Sequence, residues 1–243
     1  MKTLVWAHRG ASAYRPENTL EAFELAVSQK ADGVELDVQL TKDGELAVVH
    51  DETLERVSNG SGFVKDYTLA ELKALNFDKT HPEFAGTKMP TLKEVYELLK
   101  PTGLTVNVEL KTGIFPYPGI EEKVLSLAAE MGMEDRIIYS SFGHQSLITL
   151  KKLNPSVTTG LLYSDGWIGV PQYAKNVVGV NALHPALYHM ADGTLIKEAR
   201  ALGQKVHVWT VDEPQYMKLL LDIGVDALIT NVPDLCREMV EKA

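Results

Sequence analysis

A single cysteine, Cys236, stands among the 243 residues, which excludes an internal disulfide and a zinc site built on several thiolates. It falls among Leu235, Met239 and Val240 in a terminal helical pattern, where a structural thiol is expected rather than a nucleophile. No stretch reaches the roughly 18 consecutive apolar residues of a membrane span, and the apolar run in MKTLVWAHRG is too short for the centre of a signal peptide. Positive charge is scarce. With 24 Lys and Arg against 33 Asp and Glu the formal charge is −9, so neither nucleic acid nor an anionic membrane surface is expected as the main partner. An anionic substrate would need a local cluster of cations. No G-x-G-x-x-G or P-loop follows a strand-like run, which counts against a nucleotide-binding open sheet. These features read as a cytoplasmic protein with no stable membrane insertion.

What is present is ordinary for a globular protein: 45% hydrophobic and 23% charged residues. The stretch that organises the chain is VELDVQLTKDGELAVVHD, from Val34 to Asp51. Read as a strand, it puts Val34, Leu36, Val38 and Leu40 on one face and Glu35, Asp37 and Gln39 on the other. Same-face neighbours lie about 6.6 Å apart, so two carboxylates there repel by about 2.5 kcal/mol at an effective dielectric of roughly 20. Either that face is solvated, or a cation turns the cost into a gain. A second short run, LAVVHD, ends in His50 and Asp51 where the strand pattern stops.

Taken in order, strand-like runs begin at Leu4, Val34, Leu104, Ile137, Val157, Val178, Val206 and Ala227, with helical patterns between them. The sixth is expected near Gly179 to Leu183. Asn18 is read as the cap of the first helix, with Glu21 reaching back. Capped helical stretches also start at Thr68 and near Pro90 to Glu94. Strict alternation of this kind means a parallel sheet, and eight units in about 250 residues favour a closed TIM (β/α)8 barrel over an open sheet. From Asp51 to about Thr87 the rhythm breaks for too long to be an ordinary connection, so a small inserted subdomain, about residues 52–88, is expected after the second strand. His81, inside it, reads as a surface residue.

In such barrels chemistry sits at the C-terminal ends of the strands. That end gathers His8 and Arg9, Glu35 and Asp37, His50, Glu109 and Lys111, Ser140 with Phe142, and His207 with Trp209. The motifs HRG at His8, PENT at Pro16, ELDV at Glu35, HD at His50, ELK at Glu109, SSF at Ser140 and WT at Trp209 resemble, in order and spacing, those of the glycerophosphodiester phosphodiesterase family over essentially the whole chain. The resemblance implies hydrolysis of a small-molecule glycerophosphodiester. It implies that His8 and His50 are the acid and base, that Glu35, Asp37 and Glu109 hold a divalent metal, and that Arg9 and Lys111 meet the phosphate. Hard oxygen ligands independently suit Ca²⁺ or Mg²⁺. One departure is visible: Thr230-Asn231-Val232-Pro233 replaces the commoner Thr-Asp-x-Pro, and the role of Asn231 stays open.

Glu109 and Lys111 could be a plain ion pair inside the barrel, and His207 is expected to be structural because the acid and base posts are filled. Phe142 and Trp209 read as a substrate-facing wall or as core, and Tyr117 and Phe115 as a cover over the pocket. A lysophospholipid substrate would need an apolar groove, for which the insertion offers Leu54, Phe63 and Phe77. A catalytically inactive ligand-binding barrel is the third reading, opposed by the presence of both His8 and His50.

Overall fold

The computed structural model describes residues 2–190 and 193–243. Among the described residues, short runs rich in Val, Ile, Leu and Thr form nine strands: β1 (Leu4–His8), β2 (Gly33–Leu40), β3 (Leu46–Val48), β4 (Thr105–Leu110), β5 (Ile137–Ser141), β6 (Thr158–Tyr163), β7 (Ala182–Pro185), β8 (Lys205–Val208) and β9 (Ala227–Thr230). All but β3 run parallel, and pairing of β1 with both β2 and β9 closes them into a barrel. Around it lie α1 (Leu20–Ser28), α2 (Leu69–Ala74), α3 (Leu92–Leu99), α4 (Ile120–Met131), α5 (His144–Leu153), α6 (Val170–Tyr173), α7 (Thr194–Ala201), α8 (Pro214–Ile223) and α9 (Pro233–Lys242). Among the described residues no helix is long and apolar enough to cross a membrane.

The main core lies between strands and helices. Val34, Leu36 and Val38 of β2 pack outward with Phe23 of α1 and Leu92, Val95 and Leu99 of α3. Every residue of β2 is buried, so its acidic face looks into the barrel and not into solvent. β1 pairs with β2 only as far as Glu35, and β3 then takes over the vacated edge by pairing antiparallel with Val38 to Leu40. That hairpin lays His50 over the mouth of the barrel. The chain between β3 and α3 has an apolar cluster of its own, in which Leu54, Val57, Val64, Leu72, Phe77 and Met89 pack against Ala47 and Val49.

The capping boxes expected at Thr68 and Thr91 form with Glu71 and Glu94. Two expectations need correction. The first helix is capped by Thr19, whose hydroxyl accepts from the Ala22 amide, because Asn18 turns inward to a different task. The sixth expected strand, β7, begins at Ala182, later than its apolar pattern suggested. The amides of Gly179 and Val180 bond back to the Ala174 carbonyl in a π turn and are unavailable to a ladder. The shift brings His184 into the strand and its ring into the barrel.

Candidate active site

The site is built by register. Parallel pairing sets His8 beside Glu35, Glu35 beside Asn107 and Asp37 beside Glu109, so alternation points these side chains into one end of the barrel. Glu35, Asp37 and Glu109 are 4%, 1% and 7% exposed, and one oxygen of each lies within 4.8 Å of the others. The solvated-face reading of the acids is thereby overturned. The chain leaves β1 through Arg9 at φ 55 and Gly10 at φ 82, and a Cβ on Gly10 would sit 2.6 Å from the Ala22 backbone. The sharp turn aims the Arg9 amide at Glu35 Oε2, 3.0 Å away.

Two cations stand against three acids. Lys111 Nζ lies 2.9 Å from Glu109 and 3.8 Å from Asp37, and Arg9 Nε lies 3.4 Å from Asp37. The cations are shared unequally. Burial raises the Asp37 pKa, but His50, Arg9 and Lys111 and the hydrogen bond from Asn18 outweigh it and hold the group well below its usual value. Burial also pushes Glu35 up, and there the repulsion of Asp37 and Glu109 exceeds the help of Arg9. Glu109 is raised by burial with partial relief from Lys111. The donor set is all carboxylate oxygen, the negative charge is undercompensated, and Asp37 Oδ1 has no hydrogen-bond partner among the described residues, so a hard divalent cation fits these three residues.

The histidines flank the acids, each held by its Nδ1. His8 Nδ1 lies 2.7 Å from Asn231 Oδ1. An amide oxygen only accepts, so Nδ1 carries the proton and Nε2, 3.9 Å from Glu35, presents its lone pair. Burial, with the Arg9 charge, lowers the His8 pKa to about 4 against the opposing pull of Asn231, Asp37 and Glu17. His50 Nδ1 donates to Asp51 Oδ1 at 2.6 Å. Gln39, third on the acidic face of β2, donates through Nε2 to the carbonyls of Val49, His50 and Asp51, and Tyr117 donates to its Oε1 at 2.7 Å. Tyr117 is therefore buried as a prop beneath the His50 segment, not a cover over the cavity.

His8, Arg9, Glu35, His50, Asn107 and Glu109 line a cavity of about 70 Å³ whose far wall is Phe142, Leu162 and Trp209. Phe142 and Trp209 meet edge to face at 5.5 Å, and Trp209 Nε1 donates to the His184 carbonyl. Deeper in the barrel His207 Nδ1 and His184 Nε2 lie 2.9 Å apart, fully buried, with the His184 pKa lowered to about 3 by burial. A Cβ on Gly160 would overlap the His184 ring. A larger cleft of about 510 Å³ lies outside the barrel, lined by Leu46, Thr91, Lys93 and Glu94, far from the acids.

All nine residues singled out as site candidates thus converge: His8, His50, Glu35, Asp37, Glu109, Arg9, Lys111, Phe142 and Trp209. Sequence reasoning missed the supports, Glu17 and Asn18 of PENT, Gln39, Asp51, Arg56 and His184. Gln39 was legible by parity and Asp51 by adjacency, whereas Arg56 and His184 carried no local signal.

A profile described as the glycerophosphoryl diester phosphodiesterase family matches residues 8–235. A protein of Caldanaerobacter subterraneus named glycerophosphodiester phosphodiesterase is 46% identical over 100% of this chain and 99% of its own. One of the same name from Bacillus altitudinis is 40% identical over 96% of each chain. Among solved structures, an Oleispira antarctica phosphodiesterase in complex with the product sn-glycerol-3-phosphate superposes with TM-score 0.87 at 29% identity, over 99% of this chain and 97% of that one.

Proposed function

The chain belongs to the glycerophosphoryl diester phosphodiesterase family, and from that premise we propose that it hydrolyses glycerophosphodiesters to sn-glycerol 3-phosphate and an alcohol. The observation that carries the reading is the meeting, in one small cavity, of three buried acids, two cations and two histidines each fixed through Nδ1. Arg9 and Lys111 hold the phosphoryl oxygens, for which a guanidinium and an ammonium on opposite sides of Asp37 are suited. A Ca²⁺ or Mg²⁺ ion held by Glu35, Asp37 and Glu109 would supply further positive charge to the phosphoryl group.

With its low pKa His8 is neutral at pH 7, so its Nε2 takes the proton of the attacking hydroxyl. His50, held through Nδ1 by Asp51, gives a proton to the departing alcohol as its bond to phosphorus breaks. No described Ser or Cys in the cavity has a base partner, so the nucleophile is water, or the glycerol hydroxyl of the substrate, in which case water then opens the resulting cyclic phosphate to sn-glycerol 3-phosphate. Phe142 and Trp209 pack against the carbon skeleton of the substrate. For a lysophospholipid the support is thin. Of the apolar candidates, Leu54 and Phe77 are buried in their own cluster, and Phe63 packs on Phe115.

A coupled assay for glycerol 3-phosphate, run over several glycerophosphodiesters with and without chelator, tests the proposal. Release that stops on chelation and returns with Ca²⁺ or Mg²⁺ is expected. Release that persists after exhaustive chelation removes the metal from the scheme, and no release from any diester removes the activity.

A further inference from the structure

We propose that Arg56 is a positioning residue that clamps the two halves of the site together. It is not among the residues lining the cavity, it sits in the excursion between β3 and α3, and its hydrogen bonds go to neither the three acids nor either histidine. Its guanidinium grips two carboxylates with two edges. Nε donates to Asp51 Oδ2 at 2.6 Å and Nη2 to Asp51 Oδ1 at 3.1 Å, while Nη1 and Nη2 donate to Glu17 Oε2 and Oε1, each at 2.7 Å. Bidentate geometry of this kind fixes direction as well as distance.

The shared oxygens make the clamp matter. Asp51 Oδ1, which accepts from Nη2, also accepts the Nδ1 proton of His50. Glu17 Oε1, which accepts from Nη2 as well, accepts from Arg9 Nη1 at 2.8 Å. A continuous chain therefore runs His50–Asp51–Arg56–Glu17–Arg9, joining the hairpin that carries one histidine to the turn that carries the phosphate-facing guanidinium. Asp51 is only partly buried, and with Arg56 gone its carboxylate is free to rotate toward water and take His50 with it. Glu17 likewise would keep only Arg9 as a charged partner among the described residues and would be free to draw it away from Asp37.

The inference rests on the assignment of His50 and Arg9 as working groups, and the controls separate the two. With wild-type turnover of glycerophosphocholine established first, Arg56→Ala is expected to lower kcat roughly 10- to 100-fold, as loss of a support behind a site residue does. Arg56→Lys should recover only part, since one ammonium cannot span both carboxylates in a fork. Arg56 is 44% exposed, so a small cation can reach its place. Millimolar guanidinium is therefore expected to restore turnover in Arg56→Ala but not in Arg56→Ala/Asp51→Ala, whose receptor is incomplete. Unchanged kinetics in Arg56→Ala overturn the proposal, and so does a loss that guanidinium restores no better than an equal concentration of sodium. Wild-type protein with no diesterase activity would instead remove the functional reading on which the inference stands.

Discussion

Asn231 Oδ1 accepts the Nδ1 proton of His8 across 2.7 Å, although the two residues are 223 positions apart. The amide is itself pinned. Its Nδ2 donates to Asp212 Oδ2 at 2.6 Å, its backbone amide donates to Asp212 Oδ1, and Ser12 Oγ donates to Oδ1. Asp212 thus sets which way Asn231 faces, and Asn231 sets which nitrogen of His8 is free.

Asn231→Ala should therefore lower kcat roughly 10- to 100-fold with a smaller effect on KM, because the ring loses its orientation while the phosphate contacts stay. Asn231→Asp is not a neutral exchange here, since it sets a carboxylate against Asp212, and a lower melting temperature is expected. Steady-state kinetics and thermal unfolding check both, and an unchanged kcat in Asn231→Ala would show that His8 needs no such support.

The two acids of β2 look equivalent in sequence, where removing either would be expected to relieve repulsion. Their surroundings separate them. Glu35 has its folded pKa raised, so the stability it allows is full below its ordinary value and is lost as pH rises through the folded value. Asp37 is depressed, so its contribution is present above its ordinary value and lost as pH falls. In metal-free protein Glu35→Gln should raise the melting temperature above neutral pH, whereas Asp37→Asn, which strands Arg9 and Lys111, should lower it. Both should abolish turnover. Equal shifts of the same sign would refute the distinction.

Each of His8→Ala and His50→Ala is expected to cut kcat by roughly 10²- to 10⁴-fold with less effect on KM. A diester analogue without the glycerol hydroxyl next to the phosphoester then identifies the nucleophile. Comparable turnover of both substrates leaves water, while loss confined to the analogue leaves the substrate hydroxyl. A trapped covalent phospho-enzyme would contradict both.

His184 is neutral in the fold, its pKa lowered from 6.5 to about 3, whereas the unfolded chain takes a proton near its ordinary value. Unfolded protein binds the extra proton, so this part of the stability is complete above about pH 6.5 and is lost toward pH 3, at about 1.4 kcal/mol per pH unit. Urea unfolding in chelator between pH 7 and 4.5 should show a shallower loss for His184→Gln than for wild type. Parallel curves would mean that His184 does not titrate across that range.

By itself the sequence determined the barrel and the set of side chains that meet at one end of it. Eight apolar runs alternating with capped helices admit few other arrangements, and strand parity alone puts Glu35 with Asp37, and Glu109 with Lys111, on a common face. What the carboxylates feel was decided only in three dimensions. Asp37 is stabilised because barrel closure and the turn after β1 bring Arg9, Lys111 and Asn18 to it, while Glu35, two residues away, receives one amide and two repulsive neighbours. The same holds for Asn231 behind His8 and for Arg56 between Glu17 and Asp51. Alternation along a strand is a local property of the backbone, legible from spacing. A hydrogen bond or a pKa depends on which side chains the register and the closed ring bring within a few ångströms, and residues separated by tens to hundreds of positions leave no mark of that meeting in the order of the chain.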